Sequence, residues 1–166
     1  MKRRIEISIR LQQLYLFEDD DNGDPQLLRQ YAISTAANGA GEQMGSYQTP
    51  RGRHVVGNKI GADMPLYGVF SARQPTGEVW NPQLAVEHPN SDWILSRILW
   101  LDGRETGKNQ GGDVDTHARF IYIHGTSEEH LIGTPVSHGC VRMRNADVVD
   151  LFDLVEEGTP VTISDW

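Results

Sequence analysis

The chain has 166 residues, a length that fits one compact domain with its own core and leaves little room for a second, so a single domain over 1–166 is expected. Its formal net charge is -8 and its basic residues are scattered, which excludes the basic stripe of a nucleic-acid binder. The 17 glycines and 8 prolines imply many turns, as in a strand-rich globular protein rather than a helix bundle.

Lys2-Arg3-Arg4 is basic, but Ile5-Glu6-Ile7-Ser8-Ile9-Arg10 alternates with charges instead of continuing as an apolar run. Neither a signal peptide nor a membrane span is therefore expected. Residues 5–9 and 14–17 are rich in strand formers. Asp19-Asp20-Asp21-Asn22-Gly23-Asp24 is a turn cluster, and residues 27–34 resume an extended pattern, which predicts a hairpin with a solvated acidic turn.

Residues 36–53 are polar and Gly-rich, and they end in Thr49-Pro50-Arg51-Gly52, a tight turn leading into a strand. Residues 73–93, with Pro75, Gly77, Pro82 and Pro89, read as a long ordered loop able to wall a pocket, with Trp80 and Trp93 packed into the core. Residues 94–101 form an apolar segment of strand length, followed by a second Gly-rich loop over 102–115.

Alternation over Arg119-Phe120-Ile121-Tyr122-Ile123-His124 places Phe120, Tyr122 and His124 on one strand face and the isoleucines on the other. Asn145 is a good N-cap for a helix over 146–155, with Val148, Leu151, Phe152 and Val155 as its apolar stripe. Gly158 and Pro160 stop it before a short closing strand at Val161-Thr162-Ile163.

Cys140 is the single cysteine, so no internal disulfide can form and nothing demands an oxidising compartment. With no leader expected, the location expected is cytoplasmic, or periplasmic if an export signal has been removed. The thiol lies in Ser137-His138-Gly139-Cys140-Val141-Arg142-Met143, where Gly139 lets the backbone approach a substrate and the N–H groups of His138, Gly139 and Cys140 can face an oxyanion. In an extended run Cys140 and Arg142 share one face, while Val141 and Met143 fill the core.

A free thiol is mostly protonated at neutral pH, so a nucleophilic Cys140 needs a base, and His124, sixteen positions earlier, is the candidate. Arg142 suits the role of carboxylate clamp, since it cannot exchange protons. Tyr122, on the face of His124, is a further substrate-binding candidate. Zinc on His138, Cys140, His124 and His130 would require the Cys-x-x-Cys spacing that is absent, so no metal and no cofactor are expected. A caspase-like site fails on spacing, which there is about fifty residues. His54, His88, His117 and His130 receive no role.

These residues resemble the L,D-transpeptidase catalytic domain (YkuD-like) family, whose hallmark is a His followed, after a loop, by Ser/Thr-x-Gly-Cys-aliphatic-Arg/Asn. Here that is His124-Gly125-Thr126 and then Ser137 to Met143, and the resemblance covers nearly the whole chain. It implies a mainly β, sandwich-like fold with a short helix (about 146–155) beside the active site. It also implies Cys140 as the acylated nucleophile, His124 as base then acid, backbone N–H groups of His138 to Cys140 as oxyanion hole, and Arg142, Ser137 and Gly125 at the donor site.

The implied partner is the peptidoglycan stem tetrapeptide (muropeptide) of bacteria: Cys140 attacks the carbonyl at the L-centre of meso-diaminopimelate and expels D-Ala, and carbapenems acylate the same thiol. Water resolving the thioester makes an L,D-carboxypeptidase, and a second stem's amine makes an L,D-transpeptidase. The missing leader favours the cytoplasmic carboxypeptidase of peptidoglycan recycling. Cross-linking transpeptidation and a noncatalytic muropeptide-binding domain stay open as alternatives.

Overall fold

The structure is a computed structural model that describes residues 2–165. Period-two alternation builds β1 (Arg3–Ser8), in which Ile5 and Ile7 turn inward and Glu6 outward. It pairs antiparallel with β2 (Gln13–Asp19), and β2 pairs with β3 (Pro25–Ser34) around the predicted acidic turn. In that turn Asp20 Oδ1 accepts from the N–H groups of Asn22 and Asp24, so the cluster serves the chain reversal.

Gly52, at φ +100°, opens β4 (Gly52–Ile60) from the tight turn expected there. Residues 73–93 depart from the expected loop. A hairpin of β5 (Gly68–Ser71) and β6 (Gln74–Val79) is followed by helix α1 (Pro82–Glu87), capped by Asn81 Oδ1 on the N–H groups of Gln83 and Leu84. Trp80 and Trp93 are half-buried, not core residues. The apolar segment after them becomes β7 (Ile94–Gly103), followed by β8 (Tyr122–Gly125) and β9 (Val141–Met143).

Helix α2 spans Asn145–Leu154, and β10 (Pro160–Ser164) closes the chain order. Val148, Leu151, Phe152 and Val155 are buried as their spacing predicts, in one cluster with Leu99, Ile123, Val141 and Met143. Asn145, however, is not the cap. It lies within the helix, and its backbone N–H is received by Glu129 Oε2 at 2.8 Å, so a distant carboxylate satisfies the helix start.

Around the sheet the order is β4-β10-β1-β2-β3-β9-β8-β7, and β4 pairs again with β7. The mainly β fold expected is the one observed, and its two layers are joined at both edges into an eight-strand barrel. Closure gives each of these strands two neighbours, although β3 meets β9 only at Ile33 and Ser34. The β5–β6 hairpin hangs from the first residues of β7, through Val69↔Leu95 and Phe70↔Ile94. Ser96, at φ +70°, marks the irregularity where β7 passes from β5 to β4.

Candidate active site

β8 and β9 are parallel neighbours in the register Ile123↔Val141 and His124↔Arg142. Register partners point to the same side and the side alternates along each strand, which sends Ile123, Val141 and Met143 into the core. His124 and Arg142 face the other way, with Tyr122 two residues before His124 and Cys140 two before Arg142. All four candidate side chains thus share one face. Cys140 packs there against the buried cluster of Phe70, Ile98 and Tyr122.

Phe120 does not extend that alternation. Its φ of +57° turns the chain just before β8, leaving the ring exposed and the carbonyl beside the thiol. The Cys140 thiol donates to Phe120 O at 3.4 Å, and Sγ accepts the Tyr122 N–H at 3.3 Å. Neither partner is His124. Burial pushes this partly exposed thiol up to about 12, with Asp92 adding to the rise, while the Tyr122 N–H, Arg142 and Arg119 pull it down.

His124 is buried, and Nδ1 lies 2.6 Å from Gly125 O, an atom that can only accept, so Nδ1 carries the proton and Nε2 is left as the basic nitrogen of the neutral ring. Burial holds the imidazole below its ordinary value, against Asp92 and the Gly125 carbonyl, which favour the charged form. Both shifts thus favour the uncharged forms of thiol and imidazole over the thiolate–imidazolium pair of activated cysteines.

Ser137 shapes the loop that carries Cys140. Its hydroxyl donates to Cys140 O at 2.6 Å and accepts the Gly139 N–H at 3.2 Å, and Thr49 Oγ1 donates to Gly139 O at 2.9 Å. Gly139 adopts φ +133°, where a Cβ would press on Ile121 Cδ1. Of the three N–H groups expected to face an oxyanion, that of Gly139 is thus engaged by Ser137. Those of His138 and Cys140 meet no acceptor among the described residues. Gly125 has no room for a side chain, because a Cβ would lie 2.3 Å from Asn145 Oδ1 and 2.7 Å from Leu95 O.

Arg142 is 4% exposed, and its Nη1 donates to Glu128 Oε1 at 3.1 Å and its Nη2 to Asp92 Oδ1 at 2.9 Å. The expected carboxylate clamp is closed on the protein's own carboxylates. Asp92 also lies 3.5 Å from His138 Nδ1. Asp92 and Glu128 were invisible in the motif, since nothing in the sequence links a residue 50 positions upstream to Arg142.

Asn145 is another residue the sequence does not reveal: it is fully buried, its Nδ2 donates to Thr126 O at 2.7 Å and Ser96 Oγ donates to its Oδ1 at 2.6 Å. It ties the end of β8 to β7 and α2. Arg119 gives its nitrogens to the carbonyls of Gly41, Glu42 and Gln48 and to Ser46 Oγ, fastening residues 41–48 beside the site.

Two open hollows flank these residues. One, of about 390 Å³, is lined by Phe70, Asp92 and Trp93, and the other, of about 290 Å³, by Tyr47, Arg119, Phe120 and His138. Among the described residues no cluster of ligating side chains could hold a metal ion, and no helix is long and apolar enough to cross a membrane.

The chain is 51% identical over 133 residues to the probable L,D-transpeptidase YbiS of Escherichia coli, a match covering 74% of this chain and 42% of YbiS. It spans less than half the length of the curated relatives it matches. An L,D-transpeptidase structure from Xylanimonas cellulosilytica superposes with TM-score 0.54 at 23% identity, over 98% of this chain and 60% of that one. L,D-transpeptidase 3 of Mycobacterium tuberculosis, in complex with a faropenem-derived adduct, does so with TM-score 0.56 at 14% identity, over 98% and 60%. The sequence family model of the L,D-transpeptidase catalytic domain, YkuD, matches residues 2–163, and the chain belongs to that family.

Proposed function

We propose that this chain is a cysteine acyltransferase of peptidoglycan stem tetrapeptides, an L,D-transpeptidase in which Cys140 is the nucleophile and His124 the proton carrier. The observation that carries this reading is the parallel β8–β9 register, which sets a thiol and a neutral imidazole with a free Nε2 on one face. The relatives' names favour transfer over hydrolysis. The two hollows flanking the site give room for a donor and an acceptor.

With both groups neutral, the Cys140 proton passes to His124 Nε2 as sulfur attacks the carbonyl at the L-centre of meso-diaminopimelate. The N–H groups of His138 and Cys140 receive the oxyanion. Collapse breaks the amide C–N bond, the proton moves from His124 to the departing D-Ala amine, and a Cys140 thioester is left. The amine of a second stem then attacks the thioester, losing its proton to His124, and the released sulfur takes that proton back. Ser137 and Gly125 act by shaping the loop and strand rather than by touching substrate.

Incubation with tetrapeptide, with and without an amine acceptor, followed by mass spectrometry, tests the reading. Cross-linked dimer and a faropenem adduct on Cys140 are the expected results, and both disappear in Cys140→Ala. His124→Ala should lower turnover about 10²- to 10⁴-fold. An active Cys140→Ala protein overturns the mechanism, and D-Ala release without dimer, despite acceptor, makes the enzyme an L,D-carboxypeptidase. Compartment follows the same division, hydrolysis of soluble stems going with the cytoplasm and cross-linking with the cell exterior, and fractionation reads it.

A further inference from the structure

We propose that Arg73, at the tip of the β5–β6 hairpin, is the cation that receives the terminal carboxylate of the peptide acylating Cys140; this rests on the acyl-transfer reading above. A peptide cleaved one residue from its C-terminus carries a full negative charge close to the scissile carbonyl. Removing that charge from water requires a charge-assisted partner, for which a guanidinium fork is well suited.

The motif arginine is not available for it, because Arg142 is buried with Asp92 and Glu128 on its two terminal nitrogens. Arg119 is engaged with four acceptors in residues 41–48. Arg73 has no carboxylate partner among the described residues. Its Nη1 donates to Tyr122 Oη at 3.0 Å, and its remaining N–H groups meet no acceptor among the described residues.

Tyr122 joins this guanidinium to the reaction centre. Its phenol oxygen meets Arg73 while its backbone N–H meets Cys140 Sγ at 3.3 Å, so fork and thiol lie at the two ends of one tyrosine. The fork also rests against two aromatic rings. Its carbon lies 4.7 Å from the ring centre of Phe120 and 5.2 Å from that of Trp100, and Trp100 is fixed in turn by stacking on His117 at 3.8 Å.

The backbone points the same way. Ser71 pairs with Gln74, so Ala72 and Arg73 form a two-residue hairpin turn, with φ of +47° and +65°. Such turns favour Asn-Gly, and a side chain bearing a Cβ is strained at both positions. A residue kept in an unfavourable conformation, with its cationic end one tyrosine length from the thiol, is the pattern expected of a binding group.

Two measurements test this. The first compares alkylation of Cys140 by iodoacetate and by iodoacetamide, reagents of equal chemistry and different charge. In Arg73→Ala the iodoacetate-to-iodoacetamide rate ratio should fall roughly fivefold, the low end for a close charge pair open to water, and Arg73→Lys should recover part of it. The second compares tetrapeptide with its C-terminal amide. Wild type should prefer the free acid through KM, and Arg73→Ala should lose that preference.

An unchanged alkylation ratio in Arg73→Ala overturns the proposal, as does an unchanged acid-to-amide preference. A wild-type enzyme that is acylated by neither peptide refutes the acyl-transfer reading, and with it the peptide as the ligand of Arg73. The alkylation ratio then separates that failure from one of the anion site itself.

Discussion

The barrel and the segment inserted between β4 and β7 are held together by different forces. In the barrel, Ile5, Leu14, Leu16, Ile33, Leu99, Leu101 and Met143 are wholly inaccessible, and closure gives every strand two neighbours. In the insert, β6 is exposed throughout and α1 buries no residue. It is joined to the barrel by the short β5–β7 pairing and by side-chain bonds that include Arg97 to Met64 O, the Tyr67 N–H to Ser96 Oγ, Tyr67 to Glu129, Asp92 to Arg142 and Arg73 to Tyr122, beside the apolar contacts of Met64 and Phe70. Apolar packing over-determines the frame that carries Cys140 and His124. The insert can open locally without unfolding that frame.

The contrast is broken most directly by truncating one side chain in each region. Leu101→Ala should cost about 2–5 kcal/mol in urea unfolding, whereas Val86→Ala, at a position 74% exposed, should stay within about 0.5 kcal/mol. Similar losses at the two sites would mean that the insert is as tightly packed as the barrel.

A pH profile sharpens the barrel's side of it. His54 lies buried in β4, with Nδ1 on Gly52 O and Nε2 on the Thr116 hydroxyl, and burial lowers it from 6.5 to about 4. The unfolded chain therefore binds the extra proton first as pH falls. The contribution of His54 is intact above about pH 6.5 and declines towards pH 4, a loss of about 3 kcal/mol. Urea titrations across this window should show that slope in wild type and a flatter one in His54→Gln; equal slopes would reject the assignment.

The smallest effect belongs to the insert. Asp92→Asn leaves Arg142 paired with Glu128, and Asp92 is itself well exposed, so global stability should change by no more than about 1 kcal/mol. Amide exchange over residues 82–92 should nonetheless speed up while that of β7 to β9 does not. Unchanged exchange in α1 would show that the Asp92 bonds do not hold the insert down.

The barrel strands, the acidic hairpin and α2 were legible in the sequence because burial imposes period two or 3.6 on their apolar residues. β6 was not, because Gln74-Pro75-Thr76-Gly77-Glu78-Val79 faces solvent on both sides, with a proline and a glycine that signal turns. Of the candidate site, the shared face of Tyr122 and His124 and that of Cys140 and Arg142 followed from alternation, whereas the parallel pairing that joins the two sets came only with the structure. The partners of Arg142 did not, since they come from segments that only the tertiary fold brings together. Asn145 was misread for a related reason: its sequence position suits a cap, but its side chain is taken by Ser96 and Thr126. Arg73 left no trace at all, because a turn with both φ positive is recognised by glycine or asparagine, and this one has neither.

The hydrogen bond from the Cys140 thiol to Phe120 O bears on the lifetime of the molecule as well as on its chemistry. Peroxides attack thiolates, and the first product, a sulfenic acid, is the entry to irreversible damage. On the acyl-transfer reading, a thiol that burial favours in its protonated form is a poor target for such oxidants between encounters with substrate. Protection of the resting sulfur and a slower first proton transfer then come from the same S–H bond.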